Sequence, residues 1–262
     1  MTPTLLEARE LRKSYKKPGF GRDTFHAVKG VDLAVGVGET IAVVGESGAG
    51  KSTVGRMILR LIEPTSGSVT FEDTDLLALS GSALRRLRPR MQMIFQDPFS
   101  SLNPLVTIGD SIAEPLRVHR LAGPDARHEK VLELLDRVGL DGAFADRYPR
   151  ECSGGQLQRV AIARAVCTEP ALIVCDEPVA ALDLSIQGRI LNLLVELQQE
   201  LGISYVFISH DLSVVRHFAD RVVVMKAGEV VETGSTADVF ENPSAEYTRT
   251  LLAAAPVPSF TV

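Results

Sequence analysis

The sequence predicts an α/β fold in which buried parallel strands alternate with helices, and three observations carry that prediction. Apolar runs of strand length (Ile41–Val44, Ala171–Cys175 and Tyr205–Ile208) have the profile of strands covered on both faces. Amphipathic helical periods stand among them, the longest over Leu184–Leu201 with Ile186, Ile190, Leu193, Leu194 and Leu197 on one side. Between the first run and the helical pattern Val54, Met57, Ile58, Leu61 lies Gly45-Glu46-Ser47-Gly48-Ala49-Gly50-Lys51-Ser52-Thr53, which fits G-x-x-x-x-G-K-[ST] in its required context of strand, glycine loop and helix.

Taken in order, Leu5–Leu11 reads as a first strand, followed by Lys13-Ser14-Tyr15 and a basic loop over Lys16–Arg22 that is best explained as a solvated hairpin tip. Phe25–Val35 alternates as a second strand, and Gly36-Val37-Gly38 turns the chain into Thr40–Val44. Gly67–Phe71 is a further short strand. Ser82–Arg90 is helical, and its four arginines read as a solvated face. Met91–Phe95 is a strand ended by Gln96-Asp97-Pro98. From Asn103 to about Cys167 helical periodicity dominates (Ile108, Ile112, Leu116; Val131, Leu132, Leu134, Leu135, Val138), which marks a helical insertion in the α/β core. A helix opens at Ser153. Leu212–Ala219 is helical, Val222–Met225 and Val230-Val231 form a terminal hairpin, and a short helix after Asn242 precedes an Ala/Pro-rich tail expected to be mobile.

Length and composition set outer limits. With 262 residues, 45% hydrophobic and 23% charged, the chain can bury a sizeable core. A formal net charge of -5 gives no global basic field of the kind nucleic-acid binding uses. Cys152, Cys167 and Cys175 show no C-x-x-C spacing and read as reduced, small apolar residues of a cytosolic protein. No apolar run reaches the length of a membrane span, and residues 1–7 lack signal-peptide character, so service to a membrane is expected to pass through another chain.

The chemistry follows from residue types at strand ends. In the glycine loop successive N–H groups converge on one concavity, and the helix beyond adds its positive end. Lys51 suits the β- and γ-phosphates of a nucleotide, the Ser52 hydroxyl a Mg²⁺ ion, and Thr53 the α-phosphate region. Asp176, after five apolar residues, suits the water shell of that metal, and Glu177 can orient or deprotonate an attacking water. Gln96 is a candidate ligand to Mg²⁺ or its waters, and His210 a candidate to donate to the γ-phosphate or hold the water geometry; each is a weak signal alone. Their placement at strand ends is where open α/β sheets hold ligands. Ser153-Gly154-Gly155-Gln156 at a helix start is a second anion site, which one nucleotide needs only if a second copy or close relative closes over it.

In order and spacing these motifs resemble the nucleotide-binding subunit of an ATP-binding cassette (ABC) transporter over nearly the whole chain. The resemblance implies a P-loop NTPase (RecA-like) core with an N-terminal antiparallel β subdomain and an inserted α-helical subdomain. It implies a nucleotide-binding domain over 1–240, the helical part at about 103–167, and a C-terminal extension over 241–262. Gly45–Thr53 match Walker A, Gln96 the Q-loop, Ser153–Gln156 the signature, Leu172–Asp176 Walker B, Glu177 the catalytic glutamate, Ala181-Leu182-Asp183 the D-loop and His210 the switch histidine. Tyr15 matches the aromatic that stacks on adenine. Val44–Gly48, Phe95–Pro98, Ser101–Pro104 and Ile112–Leu116 are similar to the oligopeptide/dipeptide/nickel importer branch, as are Phe20-Gly21-Arg22 and the C-terminal Tyr247-Thr248-Arg249, Leu251-Leu252 and Pro256.

The implied activity is ATP hydrolysis coupled to solute import, with ATP and Mg²⁺ as cofactors. The implied partners are a homologous or identical ATP-binding subunit, two transmembrane permease subunits and, indirectly, an extracytoplasmic solute-binding protein. The implied location is the cytoplasmic face of the inner or plasma membrane. Departures from the family pattern are Cys152 in place of leucine, Cys175 in Walker B, Ala180 in place of the D-loop serine, and Ala245-Glu246 where His-Pro usually precedes the tyrosine. A soluble ABC-type ATPase of DNA repair or translation is the rival; such chains normally carry a long coiled coil or a second cassette. An ordinary P-loop kinase or GTPase needs neither Ser153–Gln156 nor His210.

Overall fold

A computed structural model of the chain describes residues 3–16 and 24–254. Along the chain the strands are β1 (Thr4–Lys16), β2 (Thr24–Gly36), β3 (Thr40–Val44), β4 (Ser66–Phe71), β5 (Thr74–Asp75), β6 (Met91–Ile94), β7 (Leu172–Asp176), β8 (Ser204–Ser209), β9 (Arg221–Lys226) and β10 (Glu229–Ser235). The helices are α1 (Lys51–Ile58), α2 (Gly81–Leu87), α3 (Pro98–Ser101), α4 (Ile108–Val118), α5 (Pro124–Arg137), α6 (Gly154–Val166), α7 (Leu184–Leu201), α8 (Leu212–Phe218), α9 (Thr236–Glu241) and α10 (Glu246–Ala254). The loop expected over Lys16–Arg22 and the tail beyond Ala254 fall, apart from Lys16 itself, outside the described residues.

Two compact units form, one from residues up to Ser80 together with those from Ser204, the other from Gly81 to Ile203. In the first, β2, β1, β4 and β5 make an antiparallel sheet in that order. Leu6, Ala8 and Leu11 of β1 are buried, and the pairing with β2 slips between Ala8 and Leu11. Beside this sheet, β3 pairs in parallel with both β8 and β9, and β9 turns back antiparallel into β10. Every residue of β3 and of β8 is buried, which is why their sequences read as unbroken apolar runs. The one polar residue of β3, Thr40, is held through its backbone: its amide donates to Asp220 Oδ2 (2.8 Å) and its carbonyl accepts from the Asp220 amide (2.9 Å). Phe218 of α8 packs on Phe207 and Tyr205 of β8 with ring centroids 4.7 and 5.8 Å apart.

The second unit holds the parallel pair β6–β7 and the helices α2–α7. The helical stretch 103–167 lies wholly within it. Nine of the thirteen residues of α6 are buried, so this helix is apolar nearly all round. Thr107 caps α4 by accepting the Asp110 amide (3.2 Å), and Pro124 opens α5 where its missing N–H is no loss. Arg164 of α6 donates to Glu114 of α4 (2.7 Å) and to the Ser101 carbonyl (2.9 Å), joining three segments of the helical stretch.

Some boundaries differ from the sequence reading. β1 continues through Tyr15 to Lys16 because its pairing with β2 persists to Thr24. Leu61 lies beyond α1 and is exposed: the helix stops at Ile58 and Arg60 adopts a left-handed φ of 49°. Leu132 is exposed too, since Val131, Leu134 and Leu135 already fill the inward stripe of α5. The basic helix divides at Pro89 into α2 and a 3-10 turn over Arg88–Arg90, and no residue of either is buried, as a solvated arginine face requires. β5 and α9 carried too few residues to announce themselves.

The C-terminal helix α10 is tied to β10 by one carboxylate. Glu232 accepts from the Ser244 amide (2.7 Å), the Ser244 hydroxyl (2.8 Å) and the Ala245 amide (3.1 Å). Partial burial opposes its charge, but the adjacent Thr248 side chain and the hydrogen bonds from Ser244 and Ala245 prevail and hold its pKa at about 2. A carboxylate depressed on folding contributes stability above its unfolded pKa and loses it as pH falls through the folded value. The thermal stability difference between wild type and Glu232→Gln is therefore expected to be constant above about pH 5 and to shrink steadily from there towards pH 2, as measured by melts across that range.

Candidate functional site

Parallel register puts the first unit's chemistry-bearing residues on one level. Val44 at the end of β3 pairs with Ser209 of β8 and with Val224 of β9. Gly45 and His210 therefore leave neighbouring strands side by side, with Met225 on the other flank. His210 is exposed at this strand end, one residue before Asp211, which caps α8 by accepting the Ser213 amide (2.9 Å).

The glycine loop is built against backbone. Gly45 is buried with φ 148°, a left-handed-side conformation open to glycine, and a side chain there would collide with the Met225 carbonyl oxygen. The Ala49 amide donates to the Glu46 carbonyl (3.2 Å), and the Ala49 carbonyl accepts from the Gly228 amide (3.0 Å) in the β9–β10 turn. Gly50, at φ 99°, begins α1 with no side-chain cap and no acidic residue in its first turn, so the positive end of the helix faces the loop. Lys51 is buried, and its ammonium donates to the Gly45 (2.7 Å) and Glu46 (2.9 Å) carbonyls. Glu46, Ser47 and Gly48 form an exposed crest. The Glu46 amide donates to the Tyr247 hydroxyl (3.3 Å), a contact from α10 that the sequence signalled only as a C-terminal likeness.

Tyr15 is 42% exposed and is not a core residue. It lies directly across from Phe25, itself exposed, and Lys13 sits 5.1 Å from its ring centre. Cross-strand partners share a face, so the two rings offer an apolar platform.

In the second unit the same register logic applies. Ile94 pairs with Cys175, so Gln96 and Glu177 emerge together, and Gln96 Nε2 donates to Glu177 Oε2 (3.1 Å). Asp176 ends β7 and is 2% exposed. Glu177 adopts φ 49°, a conformation costly for glutamate and one that concentrates at functional positions. The Ala180 amide donates back to its carbonyl (3.3 Å), and Gln187 Nε2 ties down the Val179 (3.1 Å) and Leu182 (3.0 Å) carbonyls. Asp183 follows, exposed, as the residue preceding α7.

Ser153 heads α6 in a reciprocal cap: its hydroxyl accepts the Gln156 amide (3.4 Å) while Gln156 Oε1 accepts the Ser153 amide (2.8 Å). Gln156 and Ser153 are thus partly engaged in holding their own helix end, with Gly154 and Gly155 at its head. Gly155 has no room for a side chain, since Ile186 of α7 stands 2.8 Å from where a Cβ would lie. Cys152 is buried behind them, its Sγ 3.7 Å from the Tyr148 carbonyl, and burial raises its thiol pKa. Burial pushes the Cys167 thiol up to about 12 and raises that of Cys175, with the Asp176 charge adding to the second. All three cysteines are packing residues. Among the described residues no cluster of three or more His, Cys, Asp and Glu side chains could hold a metal, and no helix is long and apolar enough to cross a membrane.

A family model described as "ABC transporter" matches residues 28–180. An oligopeptide transport ATP-binding protein, AppF of Bacillus subtilis, is 49% identical over 259 residues, covering 97% of this chain and 79% of the relative. The oligopeptide transport ATP-binding protein OppF of Salmonella typhimurium is 51% identical over 237 residues, covering 90% of this chain and 71% of the relative. Among solved structures, the ATP-binding cassette MJ0796, a dimer in a post-hydrolysis state bound to ADP and Pi, is 33% identical with a TM-score of 0.81, covering 88% of this chain and 99% of that one.

Because the Gly45 site meets backbone, no side chain can move aside to relieve a substitution. Gly45→Ala is expected to lower the unfolding free energy by roughly 2 kcal/mol or more, read from urea melts, and to weaken nucleotide binding in the same protein.

Proposed function

We propose that this chain, which belongs to the ABC transporter family, powers the import of oligopeptide-class solutes. It is an ATP-binding and ATP-hydrolysing subunit of an ABC importer. Peptide is favoured over nickel because both relatives described above are named for oligopeptide transport. The observation that carries the nucleotide reading is the glycine loop at the head of a fully buried strand, with His210 on the same level of the adjoining strand. A soluble ABC-type ATPase of DNA repair or translation is disfavoured by the importer relatives.

The roles are assigned from the motifs, and the geometry within each unit supports them. Amides of the loop from Glu46 to Thr53 cradle the phosphates, and Lys51 exchanges its two carbonyl partners for the β- and γ-phosphates. Tyr15 stacks on the adenine. Ser52 in the first unit and Asp176 in the second each offer a hard oxygen donor of the kind Mg²⁺ takes. When bound, Mg²⁺ neutralises charge on the phosphate oxygens. The Gln96 carbonyl is a further donor to that ion or its waters. Glu177, steadied by the Gln96 amide, orients the attacking water and accepts its proton, and His210 donates to the γ-phosphate.

Ser153, Gly154, Gly155 and Gln156 act on the nucleotide of a facing subunit, a second copy or a homologue, with Asp183 carrying the contact between the two. ATP closes this pair and hydrolysis reopens it. Two transmembrane permease subunits receive the motion, and an extracytoplasmic solute-binding protein delivers to them, which places this chain at the cytoplasmic face of the membrane. A groove of about 270 Å³ lined by Leu102, Asn103, Val106, Asp110, Glu114 and Arg164 supports this, with Phe99 and Leu105 exposed in the same segment.

Glu177→Gln is expected to retain ATP binding, to lower hydrolysis by roughly 10²–10⁴-fold, and to associate as a dimer in Mg-ATP when followed by light scattering. Hydrolysis at the wild-type rate would overturn the role of Glu177. A variant that binds ATP but stays monomeric would point to an obligate different partner.

A further inference from the structure

The crest of the phosphate loop is held by the C-terminal helix. Several of the loop's hydrogen bonds are local or come from the β9–β10 turn: Ala49 with Glu46 and Gly228, Lys51 with Gly45 and Glu46. The Glu46 amide turns the other way and donates to the Tyr247 hydroxyl at 3.3 Å. Tyr247 is itself fixed on two sides. Lys226, the residue after Met225, places its ammonium 4.5 Å from the ring centre. The helix that carries Tyr247 is anchored by Glu232 through Ser244 and Ala245, and Arg249 donates to the Pro243 (2.8 Å) and Ser244 (3.0 Å) carbonyls just ahead of it. A continuous set of contacts thus runs from β10 through α10 to the second residue of the loop.

We propose that Tyr247 is a positioning residue for the phosphate loop, through which docking of the C-terminal helix sets the affinity of the chain for nucleotide. This rests on the reading of Gly45–Thr53 as the nucleotide site. Fixing the Glu46 amide fixes the Gly45–Glu46 peptide plane, and the amides that follow take their directions from it. A loop whose amides already converge loses less freedom on closing around phosphate, so binding tightens with no contact added to the ligand. Release of α10 frees that peptide and loosens the loop. The C-terminal helix is therefore a built-in means by which whatever engages it changes ATP occupancy at the site.

The test is Tyr247→Phe in the full chain, which deletes the acceptor and keeps the ring over Lys226. The expected result is a KM for Mg-ATP raised roughly 3- to 10-fold with kcat within about twofold, and faster hydrogen exchange at the Glu46 amide. Glu232→Gln, which loosens the anchor, is expected to move both readouts in the same direction. A merely structural role for Tyr247 predicts a lower melting temperature with KM and Glu46 exchange unchanged, and that outcome overturns the inference. Lys51→Ala separates the two readings. Loss of ATP binding in Lys51→Ala beside wild-type behaviour in Tyr247→Phe overturns this inference alone. Wild-type affinity in both variants overturns the nucleotide-site reading and this inference with it.

Discussion

Parallel pairing in strict register is the constraint on which the site depends. Strands that run the same way bring their C-terminal ends to one edge, and the residue after each end inherits its neighbour's level. Val44 opposite Ser209 and Val224 puts Gly45, His210 and Met225 in a row, and Ile94 opposite Cys175 does the same for the residues leading to Gln96 and Glu177. A slip of one residue would carry each strand's side chains to the opposite face and take the polar residue that follows out of its row. At the start of β3 the register is pinned by Thr40, whose amide donates to Asp220 Oδ2 and whose carbonyl accepts from the Asp220 amide just ahead of β9.

Backbone, more than side chain, shapes the loop itself. The Met225 carbonyl oxygen excludes any side chain at position 45, the Gly228 amide donates to the Ala49 carbonyl, and the Tyr247 hydroxyl accepts from the Glu46 amide. Met225 and Gly228 belong to or adjoin the β9–β10 hairpin, and Tyr247 to the helix that packs beyond it. The last quarter of the chain therefore completes a structure that its first fifth begins. In the second unit, Arg164 plays a comparable joining part by reaching both Glu114 and the Ser101 carbonyl, so the segment that carries the exposed Phe99 and Leu105 is fixed to the long buried helix α6.

Three of the departures from the family pattern acquire physical explanations. Cys152 is inside, where a small apolar thiol can stand for leucine, and the reciprocal cap of Ser153 and Gln156 forms without reference to it. Cys175 is enclosed within β7, and burial keeps its thiol protonated. Ala180 is exposed in a turn whose hydrogen bonds come from backbone and Gln187, so the missing hydroxyl is not needed to hold the turn.

Strong local signals made most of the elements readable from residues alone. Continuous apolar runs gave β3, β7 and β8, and an amphipathic period gave α7 to the residue, because burial on two faces or on one stripe leaves a direct imprint on residue order. The ordered motifs named the candidate residues at the strand ends, since the chemistry of phosphate and water restricts the residue types that serve. Periodicity could not show that Leu61 and Leu132 fall outside the buried stripes, that β1 runs on to Lys16, or that Gln96 donates to Glu177. Nor could it show that Tyr247 reaches Glu46 across two hundred positions of sequence. Those depend on where a helix stops, which strands pair and what lies across a turn, and contacts between residues remote in the chain leave no period for a sequence to display.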